Sequence, residues 1–153
     1  MKHAKSIYYA SIASVLLITS QVHCHIITVE ISYGELVDKI TILTIKSERI
    51  IHRGKLKNIG TELEILQKVY DEYIGDRLDV LQLKKLLKTI NEMLWDIEDA
   101  IRVKERNQEF DDEFIALARG VYTTNDKRCM IKKDIDKLLE SHITEEKSYE
   151  EIV

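Results

Sequence analysis

Glu92, Asp96 and Asp99 fall at i, i+4 and i+7, so a helix would carry all three carboxylates on one face. Carboxylates stacked in this way on bundle helices hold Mg²⁺ or paired metal ions in several all-α enzymes. The di-iron version also needs a Glu-x-x-His pair, and neither the helix expected here nor the one after it has one. The second acidic motif of the all-α nucleotide pyrophosphatases, Glu-Glu-x-x-Glu, is absent as well. Charge runs on helices ordinarily face water, so a solvated acidic face is the favoured reading of this trio.

A second constellation is basic. Arg102, Lys104 and Arg106 close the same segment, and Arg119, Asn125, Asp126, Lys127 and Arg128 follow in the next one. Arg102, Arg119 and Arg128, with Lys127 and the Asn125–Asp126 pair beside them, could line a pocket for a carboxylate or phosphate. The plainer account is that Glu98 pairs with Arg102 one turn on and that cations suit a helix C-terminus. The run Asn125-Asp126-Lys127-Arg128 either caps the second half of a broken helix or faces a buried polar site, and the cap is the favoured alternative. Trp95 is the sole tryptophan, one step off an apolar stripe, and reads as a boundary core residue. No Ser-His-Asp order, glycine-rich phosphate loop, Cys-x-x-Cys pair or His-x-x-x-His pair is present, so no catalytic residue and no cofactor is assigned.

The elements that must position these residues are helical. Proline is absent from the 153 residues and glycine numbers five, too few for the tight turns of a β-rich fold. Hydrophobic residues make up 44% and charged residues 33%, a globular balance rich in helix formers. The net charge is −4, with Lys and Arg interleaved among Asp and Glu, which argues against a nucleic-acid partner.

Residues 1–24 differ from the rest. Lys2, His3 and Lys5 precede an uncharged apolar run, Ile7 to Thr19, and the polar Gln21-Val22-His23-Cys24. That is the layout of a secretory signal peptide, with cleavage after Ser20 or Cys24. The apolar run is short for a membrane span, although an uncleaved N-terminal anchor is the competing reading. Cleavage at Ser20 would leave Cys24 able to pair with Cys129, whereas cleavage after Cys24 would leave Cys129 alone. Residues 25–153 then form one domain, exported to the periplasm or secreted if the leader is removed.

Within that domain Ile26 to Ile31 reads as a short extended lead-in. A capping box, Ser32-Tyr33-Gly34-Glu35, opens helix 1, which Arg53-Gly54 should end. Helix 2 carries Leu56, Ile59, Leu63, Leu66, Tyr70 and Tyr73 and stops at Gly75. Helix 3 runs from near Asp79 to Arg106-Asn107, with Leu83, Leu87, Ile90, Leu94, Ile97 and Ile101 on one face. Asp111 caps helix 4, Phe110 staples against Ile115, and Gly120 with the polar run from Thr123 predicts a kink or break. These elements predict an all-α fold, an antiparallel bundle of about four helices with coiled-coil-like seams.

Three stretches and the tail carry a family resemblance. They are Ile31 to Leu43, Ile90 to Asp99, Val121 to Arg128, and Glu145-Glu146-Lys147-Ser148-Tyr149. In this order they resemble a bacterial family of short uncharacterised proteins, the domain of unknown function numbered 6165. The resemblance covers the chain from about Val29 to its end and implies a compact helical domain. It implies no activity, so it transfers no site residue, although it argues that Tyr149 docks on the bundle or a partner. Abundant packing residues and few catalytic constellations lead to a non-enzymatic helical binding or assembly module, with a protein partner or self-association. A small all-α enzyme or sensor for an anionic metabolite, using the arginine and lysine pocket, is the alternative.

Overall fold

The computed structural model describes residues 27–148, so the leader, Cys24 and Tyr149 lie outside the described residues. Four helices follow one another: α1 (Tyr33–Arg49), α2 (Arg53–Tyr73), α3 (Leu78–Asn107) and α4 (Asp112–Leu138). The all-α bundle expected from the periodicity is the observed architecture. Residues 27–32 are irregular and exposed up to Ile31.

Local chemistry accounts for most of the helix ends. The Ser32 hydroxyl accepts from the Glu35 amide at 3.2 Å, the first half of the predicted capping box. The second half is not made, because the Glu35 carboxylate turns away to the ammonium of Lys132. Asp111 accepts from the Phe114 amide at 3.0 Å as predicted, and the Phe110 ring packs edge-on to Phe114, 5.2 Å between centroids. Gly75, at φ +66°, stops α2 in the left-handed region that glycine enters without steric cost.

Two boundary expectations fail. Helix α1 ends at Arg49, and Arg53-Gly54 starts α2 with His52 as its N-cap. Helix α4 runs without a break from Asp112 to Leu138, so Thr123-Thr124-Asn125-Asp126 is mid-helix and caps nothing. The polar run is tolerated there because Thr124 is buried and Asn125 bonds Arg128 within the helix.

Helix α1 is the hub. It packs against α2, α3 and α4, and α3 and α4 share the longest interface. Gly34 meets Asp136 and Asp38 meets Arg128, so α4 runs antiparallel to α1; Asp38 meets Asn91 and Arg49 meets Asp96, so α3 runs parallel to it. The core comprises Leu36, Val37 and Ile40 of α1, Tyr70 and Ile74, Val80, Leu87 and Ile90 of α3, and Ile131 and Ile135 of α4. Helix α2 approaches α1 alone at backbone level, which leaves a groove between α2 and α3. At the other end α3 and α4 continue past the end of α1 as a two-helix arm. No residue of α3 beyond Leu94, or of α4 before Thr124, is fully buried.

Candidate functional site

The polar residues buried inside the bundle converge on one place. Asp38 is 2% exposed on α1 and stands among core positions. Its Oδ1 accepts from Arg128 Nε at 2.9 Å and from Asn91 Nδ2 at 2.8 Å, while Arg128 Nη2 donates to Oδ2. Asn91 gives its other amide hydrogen to Thr41 Oγ1 at 2.9 Å, and Thr41 in turn donates to the Asp38 carbonyl at 2.8 Å. Burying a carboxylate is costly unless it is paired and hydrogen-bonded, and three donors from two other helices meet that requirement here. The Asp38 bonds, against the opposing effect of burial, hold the Arg128 guanidinium above its ordinary range.

One turn further along, the same helices make a second clasp. The Gly34 amide donates to Asp136 Oδ1 at 2.6 Å, both groups buried. A Cβ on Gly34 would stand 2.5 Å from the Lys132 carbonyl oxygen, so only glycine lets α1 and α4 approach this closely. The Lys132 ammonium, 7% exposed, lies between the carboxylates of Glu35 and Glu145. Burial works to lower its affinity for the proton, but the two carboxylates outweigh that and hold it above the ordinary lysine range. Glu145 and Glu146, the latter on Lys133, thereby strap the C-terminal segment to α4.

Beside the Asp38 clasp, between α1 and α3, opens a cleft of about 290 Å³. Ile42, Ile45 and Leu94 form its apolar part; Trp95, Lys46, Asn91, Glu98, Asp99, Arg102 and Arg128 complete it. Most of its charges are already committed. Arg102 is paired with Glu98 at 2.7 Å, and Arg128 with Asp38. Lys46 is half-buried and, among the described residues, has no carboxylate within ion-pair distance. The guanidinium of Arg49 sits 5.7 Å from the Trp95 ring centroid and is tied to Asp96 at the rim.

The residues singled out in the sequence therefore divide. Arg102 and Arg128 share the cleft, and Asn125 accepts from Arg128 at 3.3 Å. Arg119, Asp126 and Lys127 are exposed on α4 and do not line it. Of the acidic trio, Glu92 is paired with Lys88, Asp96 with Arg49, and Asp99 lines the cleft. These three stand on a charged seam between α1 and α3, and among the described residues no group of three His, Cys, Asp or Glu is placed to hold a metal ion. Trp95 is half-buried, as expected of a boundary residue.

Asp38, Thr41, Lys46 and Asn91 escaped the reading of motifs. Their signal is polarity at an apolar position: Asn91 falls between Leu87 and Leu94 at core spacing, and Asp38 between Gly34 and Thr41. Each of the stretches carrying the family resemblance contributes to the clasps: Gly34, Glu35, Asp38 and Thr41; Asn91; Asn125 and Arg128; and Glu145.

Fold and site together define a small helical bundle with a polar, ion-paired interior beside an open cleft. The chain belongs to the Family of unknown function (DUF6165), whose family model matches residues 27–153. Comparison with curated proteins and with solved structures returns no match. Among the described residues no helix is long and apolar enough to cross a membrane.

Proposed function

We propose that the protein is a non-enzymatic binding module that takes a small anionic metabolite in the α1–α3 cleft. The observation that carries this reading is Lys46, a half-buried ammonium on the cleft wall without a carboxylate partner among the described residues. A cation partly withdrawn from water and left unpaired is held at a cost that a bound carboxylate or phosphate would relieve. Trp95 supplies an aromatic wall, and Arg128, its guanidinium fixed by Asp38, presents its remaining donor edge without having to be ordered on binding. The polar groups of the interior are committed to one another, which suits a rigid receptor better than a proton-transfer centre.

Thermal-shift screening of the full chain with dicarboxylates, sugar phosphates and nucleotides tests this. A ligand at a hundred times its Kd stabilises by about 2.7 kcal/mol, so a bound class should raise the midpoint clearly. Lys46→Met should abolish the rise and the accompanying change in Trp95 fluorescence. The absence of any hit at millimolar ligand would refute the reading, as would steady turnover by the wild type that is lost in Arg128→Ala.

A second reading, assembly through the α3–α4 arm, rests on a separate observation. Val103, Phe110, Ile115 and Tyr122 are 48%, 59%, 44% and 43% exposed on an arm that α1 does not cover. Exposed apolar side chains on a part of a fold that no other element covers are candidates for protein contact. Native mass spectrometry should then find oligomer that Val103→Asp with Ile115→Asp disperses; a monomer at all concentrations tested would exclude self-association. The basic, apolar and polar order of residues 1–24 supports export, and recovery of a shortened chain outside the cytoplasm of an expressing host would test it.

A further inference from the structure

The lysines that are half-buried or buried in this bundle fall into two groups. Lys88, Lys104, Lys132, Lys133 and Lys147 each have a carboxylate within ion-pair distance. Lys46 and Lys84, among the described residues, do not, and each lines a different depression. Lys84 stands in the groove between α2 and α3, a space of about 470 Å³ on the far side of α1 from the cleft residues already described. Ile40 and Leu63 give the groove its apolar surface, and Gly60 leaves its rim open, since an added Cβ there would meet nothing within 4 Å.

The other polar groups of the groove are already matched along their own helices. Glu64 is ion-paired with Lys68 at 2.8 Å, Asp71 accepts from Gln67 at 2.7 Å, and Thr44 donates to the Ile40 carbonyl at 2.8 Å. Lys84 is left with the face of the Tyr70 ring, 3.9 Å from its ammonium to the centroid. A cation over an aromatic face recovers less than a carboxylate would give in the same half-dry surroundings. Tyr70 itself is 2% exposed, and among the described residues its hydroxyl has no hydrogen-bond partner, a second polar group at this end of the bundle left without its complement.

We propose that the α2–α3 groove is a second ligand site, for a monocarboxylate carrying a short aliphatic chain, with Lys84 as the anchor of the carboxylate. One ammonium is a point charge suited to a single anionic group, unlike the planar fork that an arginine would offer. A dianion such as phosphate is disfavoured, because Asp71 and Glu64 look onto the same space. The aliphatic chain would lie over Leu63, which the gap between α2 and α3 leaves half-buried, with the core residue Ile40 as the floor beneath it. Burial holds the Lys84 ammonium below its ordinary range, against the pull of Asp71, and an arriving carboxylate would oppose that shift. The site is independent of Lys46 and of the reading of the cleft.

Calorimetric titration of the full chain with octanoate tests it, with 1-octanol and inorganic phosphate as companions. Octanoate should bind at least tenfold more tightly than either companion, and the NMR titration midpoint of the Lys84 ε-carbon should rise in its presence. Lys84→Met should weaken octanoate at least tenfold, while Lys46→Met leaves it unchanged. Gly60→Leu should weaken it similarly by filling the groove from an exposed helical position, and it carries the test if Lys84→Met fails to fold. The proposal is overturned if 1-octanol or phosphate binds as tightly as octanoate, if Gly60→Leu has no effect, or if Lys46→Met is the change that abolishes binding.

Discussion

The carboxylate of Asp38 receives both the Nε and Nη2 hydrogens of Arg128, a residue 90 positions later in the chain, and joins the middle of α1 to the middle of α4. The pair is shielded from water, since Asp38 is 2% exposed and the Arg128 side chain 27%. The pair is a device for alignment as much as for stability. Its energetic worth shows when one partner is removed and the other stays buried.

Arg128→Met should therefore destabilise the fold by about 3 kcal/mol, because Asp38 would lose two of its three side-chain donors. Asp38→Leu alone should cost a similar amount by stranding the guanidinium. The double variant should cost less than the sum, with a coupling of about 1–3 kcal/mol. Denaturant unfolding of the four proteins measures this, and strict additivity would mean that the pair contributes no coupling.

Gly34→Ala should cost about 2–3 kcal/mol, although alanine ordinarily favours a helix. The added methyl would stand 2.5 Å from the Lys132 carbonyl oxygen and force α1 and α4 apart where the Gly34 amide meets Asp136. Gly60→Ala, at an open helical position, should instead gain a few tenths to 1 kcal/mol. Thermal melting of both variants distinguishes packing from propensity.

The C-terminal strap should release in acid. Its hydrogen bond to Lys132, against a smaller effect of burial, lowers Glu145 from its ordinary value of 4.5. A carboxylate depressed in the folded state contributes stability that is present in full above its unfolded value. That contribution is lost as pH falls below 4.5 through the depressed folded value. NMR shifts or limited proteolysis at residues 141–148 between pH 6 and about pH 3 should report undocking before global unfolding. Glu145→Gln should remove the pH dependence, and 1 M salt should weaken the strap at neutral pH.

Lys46→Met should leave the ligand-free protein as stable as the wild type or more so, since it replaces a half-buried, unpaired charge by an apolar chain of similar length. The same change should eliminate the response to anionic ligands. A loss of stability without ligand would instead show that Lys46 serves the fold.

The helices were legible because they depend on neighbours in sequence. Apolar residues three and four apart, the caps at Ser32 and Asp111, and the stop at Gly75 are local facts, and α3 and α4 began where those facts indicate. Arg102, Asn125 and Arg128 stand out in the sequence because arginines and polar runs on a helix are conspicuous, and the structure places them at or beside the cleft. Asp38 and Asn91 could not, because a polar residue on an apolar stripe reads as a blemish until its partners are known. The polar run of α4 misleads for the same reason: by itself it predicts a break at Thr124 and Asn125, yet burial and Arg128 accommodate them inside a continuous helix.

By itself, then, the sequence determined an all-α chain, its helix faces and most of its helix ends, since scarce glycine, absent proline and 3.6-residue periodicity act over a few residues. The tertiary structure alone decided which charges are spent and which are left over. Pairing across the bundle joins residues as far as 97 positions apart, as in Lys132 with Glu35. Those distances exist only once α1 lies between its neighbours, and they leave Lys46 and Lys84 unmatched because, among the described residues, no carboxylate comes within ion-pair distance of either one.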